Sequence, residues 1–130
     1  MGSKKERREY LRAELNVFIN EDVKSGCRLT RSVDICEGGL RYMKPPGAFR
    51  REGKDVYLEF CLPQQQQPIR TKAMVVGDSI DESRHATSVV FTALSPKIAD
   101  LIRSYVIRRK RAELFESLRQ EHLDRLAECG

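Results

Sequence analysis

Residues 55–77, DVYLEFCLPQQQQPIRTKAMVVG, carry the plainest structural signal in the chain. Val56, Leu58, Phe60 and Leu62 alternate with Tyr57, Glu59 and Cys61, and Ile69, Thr71, Ala73 and Val75 resume the same period of two. That period marks an extended strand with one buried face, because successive side chains point to opposite sides of a strand. Between the two runs, Gln64 to Gln67 stand between Pro63 and Pro68. A short polar run bracketed by prolines reads as a hairpin loop. Gly77-Asp78 closes the second run, so the stretch is strand, loop, strand.

The same texture extends upstream and downstream. Leu15, Val17 and Ile19 alternate, and Asn20-Glu21-Asp22 reads as the end of that run. Gly26 opens a second run with Cys27, Leu29, Val33 and Ile35 on one face, interrupted there by Arg31. Leu40 and Tyr42 alternate before Pro45-Pro46-Gly47 breaks the chain. A last strand spans Thr87 to Ala93, with Val89 and Phe91 on one face. Six short strands at this spacing predict a mainly β fold, a small six-stranded antiparallel barrel that removes exposed edges by closing on itself. A two-sheet sandwich is the alternative.

From Ser95 the period changes. Ser95-Pro96 is a good helix start, with Ser as N-cap and Pro at the first helical position. Ile98, Leu101, Ile102, Tyr105 and Val106 form an apolar stripe, broken at Arg108-Arg109-Lys110-Arg111 and resumed by Leu114, Phe115, Leu118, His122 and Leu126. No Gly or Pro lies between Lys97 and Cys129. One helix over that length would extend about 50 Å, longer than a small barrel is wide. Its first half is expected to pack on the barrel. Its second half needs either a second chain, making a homo-oligomer through Leu114, Phe115 and Leu118, or a fold-back onto the same barrel. The basic run reads as a solvated face.

Composition narrows the function. The chain has 130 residues, 40% hydrophobic and 33% charged, which suits one globular domain. Its 24 Lys+Arg against 19 Asp+Glu leave a net charge of +5, compatible with an anionic partner without demanding nucleic acid. A single-strand nucleic-acid binder needs stacking aromatics on one sheet face, but aromatics are 7%, Trp is absent, and no pair is suitably spaced. No apolar run approaches the roughly 18 residues of a membrane span, and Met1-Gly2-Ser3-Lys4-Lys5 lacks the apolar stretch of a signal peptide, so a cytoplasmic location is expected. The four cysteines, Cys27, Cys36, Cys61 and Cys129, form no C-x-x-C pair, and only His85 and His122 could join them in a metal site. Unpaired thiols and no metal are the expectation. No Ser–His–Asp constellation, phosphate-loop motif or zinc-protease motif is present, so the chain does not read as an enzyme.

Two constellations remain. Residues 4–14, KKERREYLRAE, are too charged and too poor in apolar residues to anchor themselves, and they contain R-x-x-x-R from Arg8 to Arg12 with Arg7 just before it. Asp34-Ile35-Cys36-Glu37-Gly38-Gly39-Leu40 is a tight turn between two strands, which by itself reads as a hairpin with Gly38 or Gly39 at positive φ. Arg12 and Asp34 lie 22 positions apart, enough for a strand, a turn and a second strand.

An Arg-rich arm leading into a barrel, followed by D-x-C-x-x-G at the end of the second strand, resembles the PilZ domain family. Val90-Phe91-Thr92-Ala93-Leu94-Ser95 also looks like that family's last strand and helix entry. The resemblance covers nearly the whole chain and divides it into an arm over 1–14, a barrel over 15–94 and a helical element over 95–130. It implies a bacterial receptor for the second messenger cyclic di-GMP, with no cofactor besides that ligand, that relays the signal to a downstream protein. Arg8 and Arg12 would be the ligand arginines, Asp34 would accept from a guanine edge, and Gly39 would let the ligand approach the backbone. Arg7 would be a third contact, which in this family accompanies an intercalated pair of ligand molecules. The chemistry is consistent: a guanidinium forks onto guanine O6 and N7, pairs with phosphate or stacks on a purine, and an ionised carboxylate suits the N–H donors of guanine.

There are two departures. Cys36 stands where the family usually has Ser, and a thiol is the weaker donor. Losing a hydrogen bond to a charged group costs about 1.5–3 kcal/mol, which predicts weakened rather than abolished binding. Ser88 stands where the family often has glycine. A PilZ-like assembly module that binds no nucleotide is the rival reading: Cys36 favours it, and the intact R-R-x-x-x-R favours the sensor.

Overall fold

The computed structural model describes residues 11–23, 26–44, 51–77 and 86–129. Seven strands and a helix follow in order: β1 (Ala13–Glu14), β2 (Phe18–Val23), β3 (Gly26–Cys36), β4 (Gly39–Met43), β5 (Asp55–Phe60), β6 (Ile69–Gly77), β7 (Ala86–Phe91) and α1 (Pro96–Cys129). Six of the strands close into an antiparallel ring, β3–β2–β5–β6–β7–β4 and back to β3. The two-residue β1 adds to β3 through Ala13 opposite Ile35 and Glu14 opposite Asp34. The expected six-stranded barrel with a C-terminal helix is therefore the observed architecture.

Alternation fills the barrel. Val56, Leu58 and Phe60 on β5 face inward against Ile69, Thr71, Ala73 and Val75 on β6. Ile19, Ile35, Leu40, Tyr42 and Val89 from the other strands complete the core, each exposed by no more than 1%. Leu62, just past β5, is also buried. The β5–β6 connection holds Gln64 at φ 67°, a left-handed residue inside the proline-bracketed loop.

Two expectations about strands are corrected. The run Leu15, Val17, Ile19 is not one strand ending at Asn20-Glu21-Asp22: β2 begins only at Phe18, continues to Val23 and turns Glu21 into the barrel at 0% exposure. That inward carboxylate accepts from the Tyr42 hydroxyl and pairs with Arg51 at 2.8 Å, while Arg51 also donates to Thr87 at 3.1 Å. A buried charge is tolerated when it is paired and hydrogen-bonded, and Glu21 is both. The second correction concerns β3. Cys27, Leu29 and Arg31 share a face, but it is the outer one, and Leu29 is 66% exposed. The β3–β4 register advances two residues on β3, from Ser32 to Asp34, while β4 advances only from Tyr42 to Arg41. Val33 is the extra residue of a β-bulge, and a one-residue insertion reverses which face points inward. Ser32 and Ile35 therefore both face the core.

The helix begins as the sequence predicts. The Ser95 hydroxyl accepts from the Ile98 N–H at 3.3 Å, and the Ser95 carbonyl accepts the first helical bond from Ala99. Ile102 and Val106 are buried against the barrel, with Ile98, Leu101 and Tyr105 packed around them. The Tyr105 hydroxyl donates to the Glu14 carbonyl at 2.7 Å and fixes α1 to β1. Beyond this the helix runs on unbroken to Cys129, with no fold-back, leaving Leu114, Phe115 and Leu118 at 58%, 71% and 51% exposure. Among the described residues, no helix is long and apolar enough to cross a membrane.

Candidate functional site

The bulge at Val33 sets the outer face of the β3–β4 hairpin. Past it, Asp34 pairs with Arg41, and Cys36 with Gly39, on the side away from the core residues Ile35 and Leu40. Re-aiming a side chain is a common use of a bulge, and here the redirected group is a carboxylate. Asp34 receives Arg12 from just before β1, with Nη1 at 2.6 Å from Oδ1. On its other side Arg41 forks onto it: Nε lies 3.1 Å from Oδ2 and 3.2 Å from Oδ1, and Nη2 also bonds Oδ2. The hydrogen bond to Asp34 raises the pKa of Arg41 further, while partial burial opposes this. The Arg12 and Arg41 side chains are 44% and 40% exposed, against 14% for Asp34, so two solvent-facing guanidiniums sit on a sheltered carboxylate.

These three residues line a cleft of about 510 Å³ with Glu14 and Val33 on one side. Helix α1 supplies the other wall through Lys110 and Glu113. The volume is in the roughly 300–1,000 Å³ range of small-molecule clefts. A groove of similar size, about 530 Å³, crosses the outer face of β5 and β6 beside Tyr57, Arg70 and Lys72. Its two cations are paired, Arg70 with Glu59 in the groove and Lys72 with Asp55 beside it, and the lining contains none of the motif residues. Of the motif residues, Arg12 and Asp34 line the Asp34 cleft.

The sequence-predicted residues fall into three groups. Arg12 and Asp34 are in direct contact. Cys36 and Gly39 lie at the hairpin end, and neither lines the cleft: Cys36 is a free thiol with 6% exposure. Gly39 has a packing role that the sequence did not suggest, since a Cβ there would come within 2.3 Å of the Val89 carbonyl oxygen on β7. Neither Gly38 nor Gly39 has a positive φ; the glycines that do, among the described residues, are Gly26 and Gly53. Arg7 and Arg8 lie outside the described residues, as does His85. Next to the turn, the hydrogen bond from Arg103 holds the Glu37 carboxyl below its ordinary pKa despite slight burial, and so ties the turn to α1.

Sequence reasoning missed Arg41, Lys110 and Glu113. Arg41 meets Asp34 only through the cross-strand register, and the two helix residues meet the cleft only through the docking of α1. No cluster of three metal-ligating side chains exists among the described residues.

No protein-family model matches the chain, and no curated protein matches it in sequence. Solved structures do match in fold. One is the Bacillus subtilis inhibitor of motility MotI/DgrA, at TM-score 0.72 and 20% identity, covering 82% of this chain and 52% of that one. Another is the PilZ domain with c-di-GMP of YcgR from Escherichia coli, at TM-score 0.63 and 18% identity, covering 85% of this chain and 97% of that domain. YcgR from Escherichia coli in complex with c-di-GMP aligns at TM-score 0.72 and 18% identity over 87% of this chain and 50% of that one. The chain thus has a PilZ-like fold and spans about half the length of two of these three proteins.

Proposed function

Proceeding from the PilZ-like fold, we propose that this chain is a non-enzymatic cytoplasmic sensor that binds cyclic di-GMP and passes the signal to a partner protein by a change of conformation. The observation that carries the proposal is the 2.6 Å contact between Arg12 and Asp34. It joins the arm motif to the turn motif at the mouth of one cleft, on a fold whose relative in Escherichia coli is described with c-di-GMP bound.

In this reading Asp34 accepts from the N–H edge of a guanine, and Arg12 releases one of its contacts to pair with a phosphate or fork onto a base. Arg8 acts as the second ligand arginine, and Arg7 adds a third contact for an intercalated ligand pair. Cys36 supplies less hydrogen bonding than the usual serine and lowers affinity. Gly39 acts indirectly, by keeping β7 close to the turn that carries Asp34. The experiment is a calorimetric titration of the wild type, Arg8→Ala and Arg12→Ala with cyclic di-GMP. Binding by the wild type that falls at least about tenfold in each variant, with thermal stability retained, is the expected result. Unchanged binding in both variants sinks the assignment.

A second reading is favoured by Cys36 and by the uncovered helix stripe: a nucleotide-free module that assembles through α1. It predicts no ligand binding by the wild type at all.

A further inference from the structure

The far wall of the cleft comes from α1, and we infer that Lys110 is a phosphate-binding residue of this site, so that the ligand bridges the helix and the barrel. The inference rests on the cyclic di-GMP reading and adds a residue to it. Lys110 lines the same cleft as Arg12, Asp34 and Arg41. Its recorded ion pair is with Glu113 at 3.3 Å on its own helix, with both side chains about 40% exposed. Exposed pairs at this spacing are weakly held, so a phosphate can replace Glu113 at the ammonium with little loss.

Charge points the same way. Arg12 and Arg41 both spend hydrogen bonds on Asp34, whereas Lys110 pairs, among the described residues, with a neighbour one turn away. Lys110 on α1 and Arg12 before β1 place cations on two sides of the cleft, which suits a diester with two phosphates. A compact ammonium on a long stem meets a phosphate without the fixed orientation of a guanidinium. Placement of the lysine is not left to chance. Tyr105 bonds the Glu14 carbonyl, Arg109 reaches the Glu14 carboxylate at 3.6 Å, and Ile102 and Val106 are buried beneath. Glu14 is two residues from Arg12, so these contacts hold α1 beside the segment that carries Arg12.

The test is titration of cyclic di-GMP into the full chain as wild type, Lys110→Ala and Arg111→Ala, with thermal melts of all three. Arg111 is exposed on the same helix and does not line the cleft, so its removal reports only the general field. Lys110→Ala is expected to bind about tenfold more weakly, and Arg111→Ala to match the wild type. Wild-type binding with Lys110→Ala within about threefold of it, or an equal loss in both variants, overturns the inference and leaves the sensor reading standing. A wild type that binds no ligand overturns the sensor reading, and the inference with it.

Discussion

Asp34 holds two arginines because one extra residue, Val33, turns it to the outer face of β3. Gly39 is constrained just as locally. A methyl at that position meets the Val89 carbonyl at 2.3 Å, and backbone cannot yield as a side-chain tip can. Gly39→Ala is expected to cost about 1–3 kcal/mol of stability by urea denaturation, independent of any ligand. A loss well below this would mean that β4 and β7 separate freely. Glu37 gives a pH signature. Its folded-state pKa lies below the ordinary one, so the Arg103 pair stabilises the fold above the usual glutamate range, near pH 4, and that contribution is lost as pH falls through the folded value. Carbon-detected NMR should show Glu37 titrating lower in the wild type than in Arg103→Gln; coincident curves would refute the coupling. At this scale the sequence was legible where a motif named the residue, as with Arg12 and Asp34. It was silent on Arg41, whose meaning depends on a register that no local pattern shows.

The strands divide sharply between those the pattern reveals and those it hides. β5 and β6 keep a strict period of two over a buried face, and they appear in the structure where the alternation puts them. β2 was cut short because Asn20-Glu21-Asp22 looks like a strand end, yet Glu21 is an interior residue satisfied by Tyr42 and Arg51. Such a network is invisible in one dimension, since its members come from β2, β4 and the segment before β5. It also carries a cost when broken: Arg51→Leu leaves the Glu21 carboxylate buried without its counter-charge. The expected loss is about 3–5 kcal/mol in chemical denaturation, and a change below about 1 kcal/mol would show that Glu21 rehydrates or protonates at little cost. In β3 the first half was assigned to the wrong face for one reason, the bulge, which shifts parity without leaving a sequence mark.

Across the whole molecule, the barrel uses only the first part of α1. The remaining length carries Leu114, Phe115, Leu118 and Leu126 into solvent along one stripe. Covering that stripe with a second copy is the oligomer expected from the sequence. Light scattering at high protein concentration should give at least a dimer mass, reduced to a monomer by Leu114→Glu with Phe115→Glu; a wild-type monomer contradicts it. The cleft and this stripe share one helix, through Lys110 and Glu113 at the cleft and the leucines beyond. The proposed receptor site for cyclic di-GMP is the Arg12–Asp34 cleft. Calorimetric titration of the full chain with that ligand tests it most directly. Micromolar or tighter binding is the expected result, with two ligands per chain if Arg7 serves an intercalated pair. No heat and no displacement of a labelled cyclic di-GMP probe at high ligand concentration would contradict it.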